Sequence, residues 1–128
     1  MSGLSPLDDP LLAPHFEGVR AGRLLVQRCD TCRALRWPPL TGCPECRGRG
    51  ATWAEVEPVG TVWSYVTYHR AFQAALRVPY SVAMIALKDG PTMVGRLEPE
   101  DREPAVGAPV VATFVEEDGV PIIVWRLA

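Results

Sequence analysis

The chain is poor in lysine, with Lys88 alone, and in histidine, with only His15 and His69. It has no apolar run near the ~20 residues that a membrane-spanning helix requires. The opening Met1-Ser2-Gly3-Leu4-Ser5 shows no basic leader followed by an apolar stretch and cleavage site. That argues against export, so a cytoplasmic location with reduced thiols is expected. Charge of one sign is also missing. A net charge of −2 over 128 residues gives no general attraction to nucleic acid or to a membrane surface. There is no internal repeat and no low-complexity tract. With 13 prolines and 11 glycines, long helices are disfavoured and short strands joined by turns are favoured. Cysteine is sparse too, at four residues, yet it is the most informative residue in the chain.

Cys29, Cys32, Cys43 and Cys46 fall as C-x2-C-x10-C-x2-C, with no cysteine left over. Each C-x2-C pair fits a tight turn that aims two sulfurs at one point. Two such turns facing one another make a tetrahedral thiolate site, the geometry that a d¹⁰ zinc ion accepts. Two structural disulfides or four buried thiols are the plainer alternatives, and the expected reducing compartment disfavours the first. Zinc is therefore the ion expected, with iron the alternative that four thiolates also hold. Four thiolates leave no coordination position for water, so the ion is expected to be structural.

Charge is unevenly distributed along the chain. Seven arginines lie between Arg20 and Arg49 against Asp30 and Glu45, while seven acids lie between Glu98 and Asp118 against Arg102. A zinc tetrathiolate carries −2, so part of the arginine surplus balances the metal.

The pattern predicts a mainly β chain. Asp9-Pro10 resembles a helix N-cap with proline after it, and Pro14 interrupts the repeat, so a first turn and then a short helix over 14–21 are expected. Leu12, Phe16 and Val19 would share its buried face, Gly22 suits the position after its end, and His15 is expected at the surface or in a docking contact. Strands over 23–28, 35–37 and 52–57 flank the cysteine turns as a zinc ribbon. Such a ribbon buries too little to fold alone, and structural zinc supplies about 10–16 kcal/mol in ribbon-sized peptides. From Pro58 the texture becomes β-branched and aromatic. Strands are expected over 61–68, 80–87, 92–97, 109–115 and 120–127, the last two joined around Glu117-Asp118-Gly119. Five strands with no long helix between them suit an OB-type barrel. The expected division is a helical arm over 1–22, a rubredoxin-like zinc ribbon over 23–57 and an OB-fold barrel over 58–128.

The segment from His69 to Pro79 joins the first two expected barrel strands and is both apolar and basic. His69, Arg70, Phe72, Arg77 and Tyr80 are accordingly the candidate ligand or partner contacts. No nucleophile with an orienting base stands out, so no catalytic residue is assigned.

Several stretches together resemble a known family, the zinc-ribbon plus OB-fold proteins associated with acyl-CoA metabolism. They are His15-Phe16-Glu17-Gly18, Gly22 through Cys29, Cys32, Pro38-Pro39, Cys43-Pro44-Glu45-Cys46, Trp53, Gly60-Thr61-Val62, Tyr68-His69-Arg70, Pro79-Tyr80, and Gly107 with Pro109-Val110. In that family the residue after the second cysteine of each knuckle is often glycine, whereas here it is Arg33 and Arg47. The resemblance implies a non-catalytic subunit that assembles with a thiolase-like enzyme, such as a thiolase, lipid-transfer-type thiolase or retro-aldolase, with a hydratase as a further partner. It also implies that acyl-CoA, of fatty or steroid origin among others, is bound or passed on by the assembly.

The competing reading is a single-stranded nucleic-acid binder. Trp63, Tyr65 and Tyr68 would stack on bases and the ribbon arginines would track phosphates. Strict alternation places several of those aromatics inside the barrel, and the late part of the chain is acidic, so nucleic acid is not the expected partner.

Overall fold

The computed structural model describes residues 8–70 and 78–128. Within them the chain is mainly β, as expected, with one short helix. It divides into two compact units. One holds the described chain up to Glu57 together with Phe114–Ile122, and the other holds the described residues of Pro58–Thr113 and Ile123–Ala128.

The first unit opens on a turn at Asp9, whose Oδ1 accepts the Leu11 N–H at 2.9 Å and whose carbonyl accepts those of Leu12 and Ala13 at 3.0 Å. Helix α1 follows over Ala13–Arg20. Its buried residues are His15, Gly18 and Val19, not the expected set of Leu12, Phe16 and Val19. Gly18 explains the rotation: a Cβ there would lie 2.8 Å from Leu25 Cγ, so the missing side chain lets the helix close onto the next strand. His15 is carried inward with it and is buried, which corrects its expected surface position. The helix ends in a Schellman motif. Gly22 takes φ +76°, its N–H bonds the Val19 carbonyl at 2.9 Å, and the Arg23 N–H bonds that of Gly18 at 2.7 Å.

Strands β1 (Leu24–Cys29), β2 (Leu35–Arg36) and β3 (Ala51–Val56) form an antiparallel sheet in the order β2-β1-β3. Leu24 pairs with Val56 and Cys29 with Ala51, so β1 runs directly from the small apolar core into the first cysteine turn. Leu24 and Val26 are fully buried, and each such side chain contributes roughly 1.5–3 kcal/mol. The apolar core of this unit is small, so a metal is expected to supply much of what holds it.

The barrel strands are β4 (Val59–Tyr68), β5 (Tyr80–Leu87), β6 (Thr92–Glu98), β7 (Pro109–Glu117) and β8 (Val120–Leu127). They close in the order β4-β5-β6-β8-β7. β6 and β8 run parallel, with Leu97 opposite Trp125, and β4 closes on β7 with Val59 opposite Val111. This is the strand order of an OB-type barrel. Val62, Ile85, Leu97, Val110, Val124 and Trp125 fill its interior. The indole of Trp125 occupies the space a side chain on Gly95 would need, since a Cβ there would lie 2.8 Å from Nε1. A bulge between Val62 and Ser64 breaks the alternation of β4. It turns Trp63 outward, 60% exposed, while Tyr65 and Tyr68 are half-buried, so the expected placing of these aromatics in the core does not hold. β7 and β8 are joined through Asp118 (φ +53°) and Gly119 (φ +77°), the two left-handed residues of a type I′ hairpin turn.

Candidate metal centre

The first cysteine turn begins where β1 ends. The Arg33 N–H bonds the Cys29 carbonyl at 2.9 Å and the Cys29 N–H bonds the Ala34 carbonyl at 2.9 Å. The second repeats this pattern: the Arg47 N–H bonds the Cys43 carbonyl at 2.8 Å, and the Cys43 N–H bonds that of Gly48 at 2.8 Å. Both turns need a left-handed residue after the second cysteine. Arg33 supplies it at φ +69° and Arg47 at φ +64°. The first turn is tied to β3 by the Asp30 N–H, which bonds the Gly50 carbonyl at 3.0 Å, and by the Thr52 hydroxyl, which donates to Asp30 Oδ1 at 2.6 Å.

These turns bring all four sulfurs within 4.8 Å of one another. Cys29 Sγ lies 3.5 Å from Cys46 Sγ, and Cys32 Sγ lies 3.6 Å from Cys43 Sγ. A zinc tetrathiolate with bonds of about 2.3 Å has sulfur–sulfur edges of about 3.8 Å, so the quartet fits the ion. A disulfide requires about 2.05 Å, and all four cysteines are free. Cys29 and Cys43 are buried and Cys32 and Cys46 exposed, so the ion would be covered on one side. Backbone N–H groups also favour thiolates: that of Cys32 points at Cys29 Sγ at 3.5 Å and that of Gly48 at Cys46 Sγ at 3.4 Å.

The thiols do not titrate alike. The Cys32 N–H and the neighbouring sulfurs lower Cys29 to about 6. The Cys46 N–H lowers Cys43 in the same sense. At Cys32 the Ala34 N–H favours the thiolate, but desolvation and the other three sulfurs outweigh it and push the thiol up to about 12. The first charges are thus welcomed and the last is resisted. A dication removes that resistance, because it is the one partner that lets all four sulfurs be anionic at neutral pH.

Behind the metal-facing turn, Gln27 Oε1 accepts Arg36 Nε and the Leu40 N–H, both at 2.8 Å. His15 packs on Trp37 with ring centroids 4.3 Å apart, and burial lowers its pKa while a backbone contact to Leu25 opposes the shift. Sequence reasoning did not single out Gln27 or Arg36. An arginine among seven in the ribbon segment gives no sign that it is the buried one.

Of the other candidate residues, His69, Arg70 and Tyr80 lie where β4 ends and β5 begins. Tyr80 is buried and stacks on Tyr68, its register partner, at 5.0 Å. His69 lines a cavity of about 300 Å³ with Thr67, Pro79, Ser81 and the 100–104 segment. Thr67 Oγ1 and Ser81 Oγ are hydrogen-bonded at 2.8 Å beside it. Arg70 is exposed. Phe72 and Arg77 lie outside the described residues. The cavity lining includes Glu100, Asp101 and Glu103 against Arg102, so it is acidic on balance. Among the described residues, no helix is long and apolar enough to cross a membrane.

Two family models match this chain. Residues 16–51 match the ChsH2 rubredoxin-like zinc ribbon domain, and residues 53–115 match the ChsH2 C-terminal OB-fold domain. A probable enoyl-CoA hydratase alpha subunit from Thermomonospora curvata is 38% identical over 108 residues, which is 80% of this chain but 33% of that protein. The chain therefore spans about a third of the length of that relative. A DUF35 domain-containing scaffold protein from Methanocaldococcus jannaschii is 32% identical over 124 residues, covering 88% of this chain and 84% of the relative. Among solved structures, a chain of the Ltp2-ChsH2(DUF35) aldolase superposes with a TM-score of 0.82 at 32% identity, over 96% of this chain and 98% of that one. The four-sulfur ribbon, the five-stranded barrel and these matches agree, and the chain belongs to the DUF35 family of ChsH2-type zinc-ribbon and OB-fold proteins.

Proposed function

We propose that this chain is a non-catalytic zinc-binding subunit that assembles with a thiolase-like enzyme and helps it hold or pass on acyl-CoA. The observation that carries the reading is the end-to-end likeness to a chain of the Ltp2-ChsH2(DUF35) aldolase, at TM-score 0.82 and 32% identity. The hydratase alpha-subunit name of a relative supports the CoA-thioester class and makes a hydratase a further candidate partner. Chemistry on the chain is consistent with a supporting role. Its four cysteines form the metal centre, so none is free as an acyl-transfer nucleophile.

Within this reading, His69, Arg70 and Tyr80, together with Phe72 and Arg77, are the ligand or partner contacts. The acidic lining beside His69 repels CoA phosphates, so the uncharged pantetheine arm suits that end of the barrel better. The test is to co-express the chain with a thiolase-like enzyme encoded beside it, then purify through a tag on this chain. Co-purification is expected, with no turnover by the isolated chain and loss of the enzyme's activity when the chain is withheld. Thiolysis or aldol cleavage by the isolated chain overturns the proposal.

A further inference from the structure

Arg36 lies on β2 at 7% exposure, and a buried charge is costly unless something compensates it. Its head is only partly satisfied. Nε donates to Gln27 Oε1 at 2.8 Å and Nη2 to the Leu40 carbonyl at 3.2 Å, while Nη1 is buried with no hydrogen-bond partner. Both acceptors are neutral. Among the described residues, no carboxylate is found within ion-pairing distance of this guanidinium. The hydrogen bonds hold the head in place but leave its charge unanswered.

The strand geometry indicates where the answer lies. Gln27 and Arg36 are register partners across β1 and β2. Gln27 and Cys29 are two residues apart on β1 and both are buried, so their side chains leave one face of the strand about 6.8 Å apart. The amide that grips Arg36 is thus one strand step from a metal-facing sulfur. A tetrathiolate around a dication carries a net charge of −2, and the quartet begins at the end of the strand that carries Gln27.

We propose that the Arg36 guanidinium is the counter-charge of the tetrathiolate metal centre, held in position by Gln27, and that it sets how tightly the centre keeps its metal. Arg36 acts here as a positioning and charge-balancing residue, not as a ligand. Residues behind a metal site typically change its affinity 10–100-fold when replaced.

The experiment compares Arg36→Lys, Arg36→Gln and Arg36→Met in the full chain. Zinc affinity is measured by competition with a chromogenic chelator, and cobalt substitution reports whether the site stays tetrahedral. The neutral Gln and Met variants are expected to bind zinc at least tenfold more weakly, with unchanged cobalt bands. The Lys variant is expected to stay within about threefold of the parent chain, because its charge remains. Should the Met variant fail to fold, the Gln variant, which retains donors, decides the matter. Failure of both neutral variants to take up zinc while Lys does so also supports the proposal. A Gln variant that binds zinc as tightly as the parent overturns it. Equal losses in the Lys and Gln variants, or failure of all three, overturn it as well, since packing alone would then account for Arg36.

Discussion

The two cysteine turns carry a measurable strain. Arg33 at φ +69° and Arg47 at φ +64° occupy the left-handed region, where a side chain costs ~1–2 kcal/mol per residue and glycine costs nothing. Both are exposed, and among the described residues neither guanidinium makes a hydrogen bond or ion pair that would offset the cost. Glycine returns ~0.5–1 kcal/mol of that gain through the greater freedom of the unfolded chain. The net expectation is a gain of about 0.5–1 kcal/mol for Arg33→Gly and for Arg47→Gly separately. Ribbon folding and metal binding are coupled, so this becomes a zinc affinity about 2–5-fold higher for each variant. The turn hydrogen bonds, Arg33 N–H to Cys29 O and Arg47 N–H to Cys43 O, are made by backbone and survive the change. Loss of a positive charge near an anionic centre works the other way, but at exposed positions that effect is small and falls with salt. Arg33→Ala and Arg47→Ala isolate it, because alanine removes the charge and keeps the strain. The quantity to measure is therefore the Gly-to-Ala ratio of zinc affinities by chelator competition, at low and at moderate salt. A ratio at or below one refutes the strain argument and shows that the turns tolerate a side chain at no cost.

Two further outcomes follow from the packing. Removal of zinc by a chelator under reducing conditions should abolish hydrogen-exchange protection in β1, β2 and β3 while leaving it in the interior of β4, β5 and β6, because metal-linked energy of about 10–16 kcal/mol exceeds what the small ribbon core supplies; protection that persists in β1 without metal would show a self-sufficient ribbon. The pKa of His15 is lowered from 6.5 chiefly by burial, so the unfolded chain binds its proton more readily and stability contributed by the neutral ring is full above about 6.5 and declines as pH falls below that value toward the folded pKa. His15→Phe keeps an aromatic ring against Trp37 and should flatten this part of the pH dependence of the thermal midpoint, and an undiminished slope would assign it to other groups.

Much of this fold is legible in the sequence, and the reasons are local. Strands β5 and β8 coincide residue for residue with the expected 80–87 and 120–127, because β-branched alternation and Gly or Asp-Gly punctuation leave no competing pattern. The metal site is equally readable, since four cysteines in two matched C-x2-C pairs favour a shared ion over disulfides or buried thiols. What escapes notice is set by tertiary contact. The buried face of α1 turns on Gly18, whose meaning appears only once Leu25 is seen pressing against it. The outward turn of Trp63 depends on a bulge that no propensity marks. Arg36 is chemically identical to its exposed neighbours in the sequence, and only Gln27, opposite it in register, distinguishes it.

The metal and the barrel solve the same problem by different physics. The barrel encloses Ile85, Leu97, Val124 and Trp125 and closes its own strand edges, so burial and backbone pairing are enough. The ribbon has three short strands, one of them of two residues, joined by the cysteine loops, and it cannot exclude water from much surface. A tetrathiolate ion converts its loops into a rigid object without a core. Rigidity of that kind is useful where a surface must be presented to another protein without an ordering cost at the moment of contact. It also explains why the metal does no chemistry in this reading. Every coordination position is spent on holding the turns, and the charge that remains is set against a buried arginine rather than against a substrate. Under the proposed function, the effects of ribbon substitutions are therefore expected in the assembly with the partner enzyme, read by co-purification, before they appear in its chemical step.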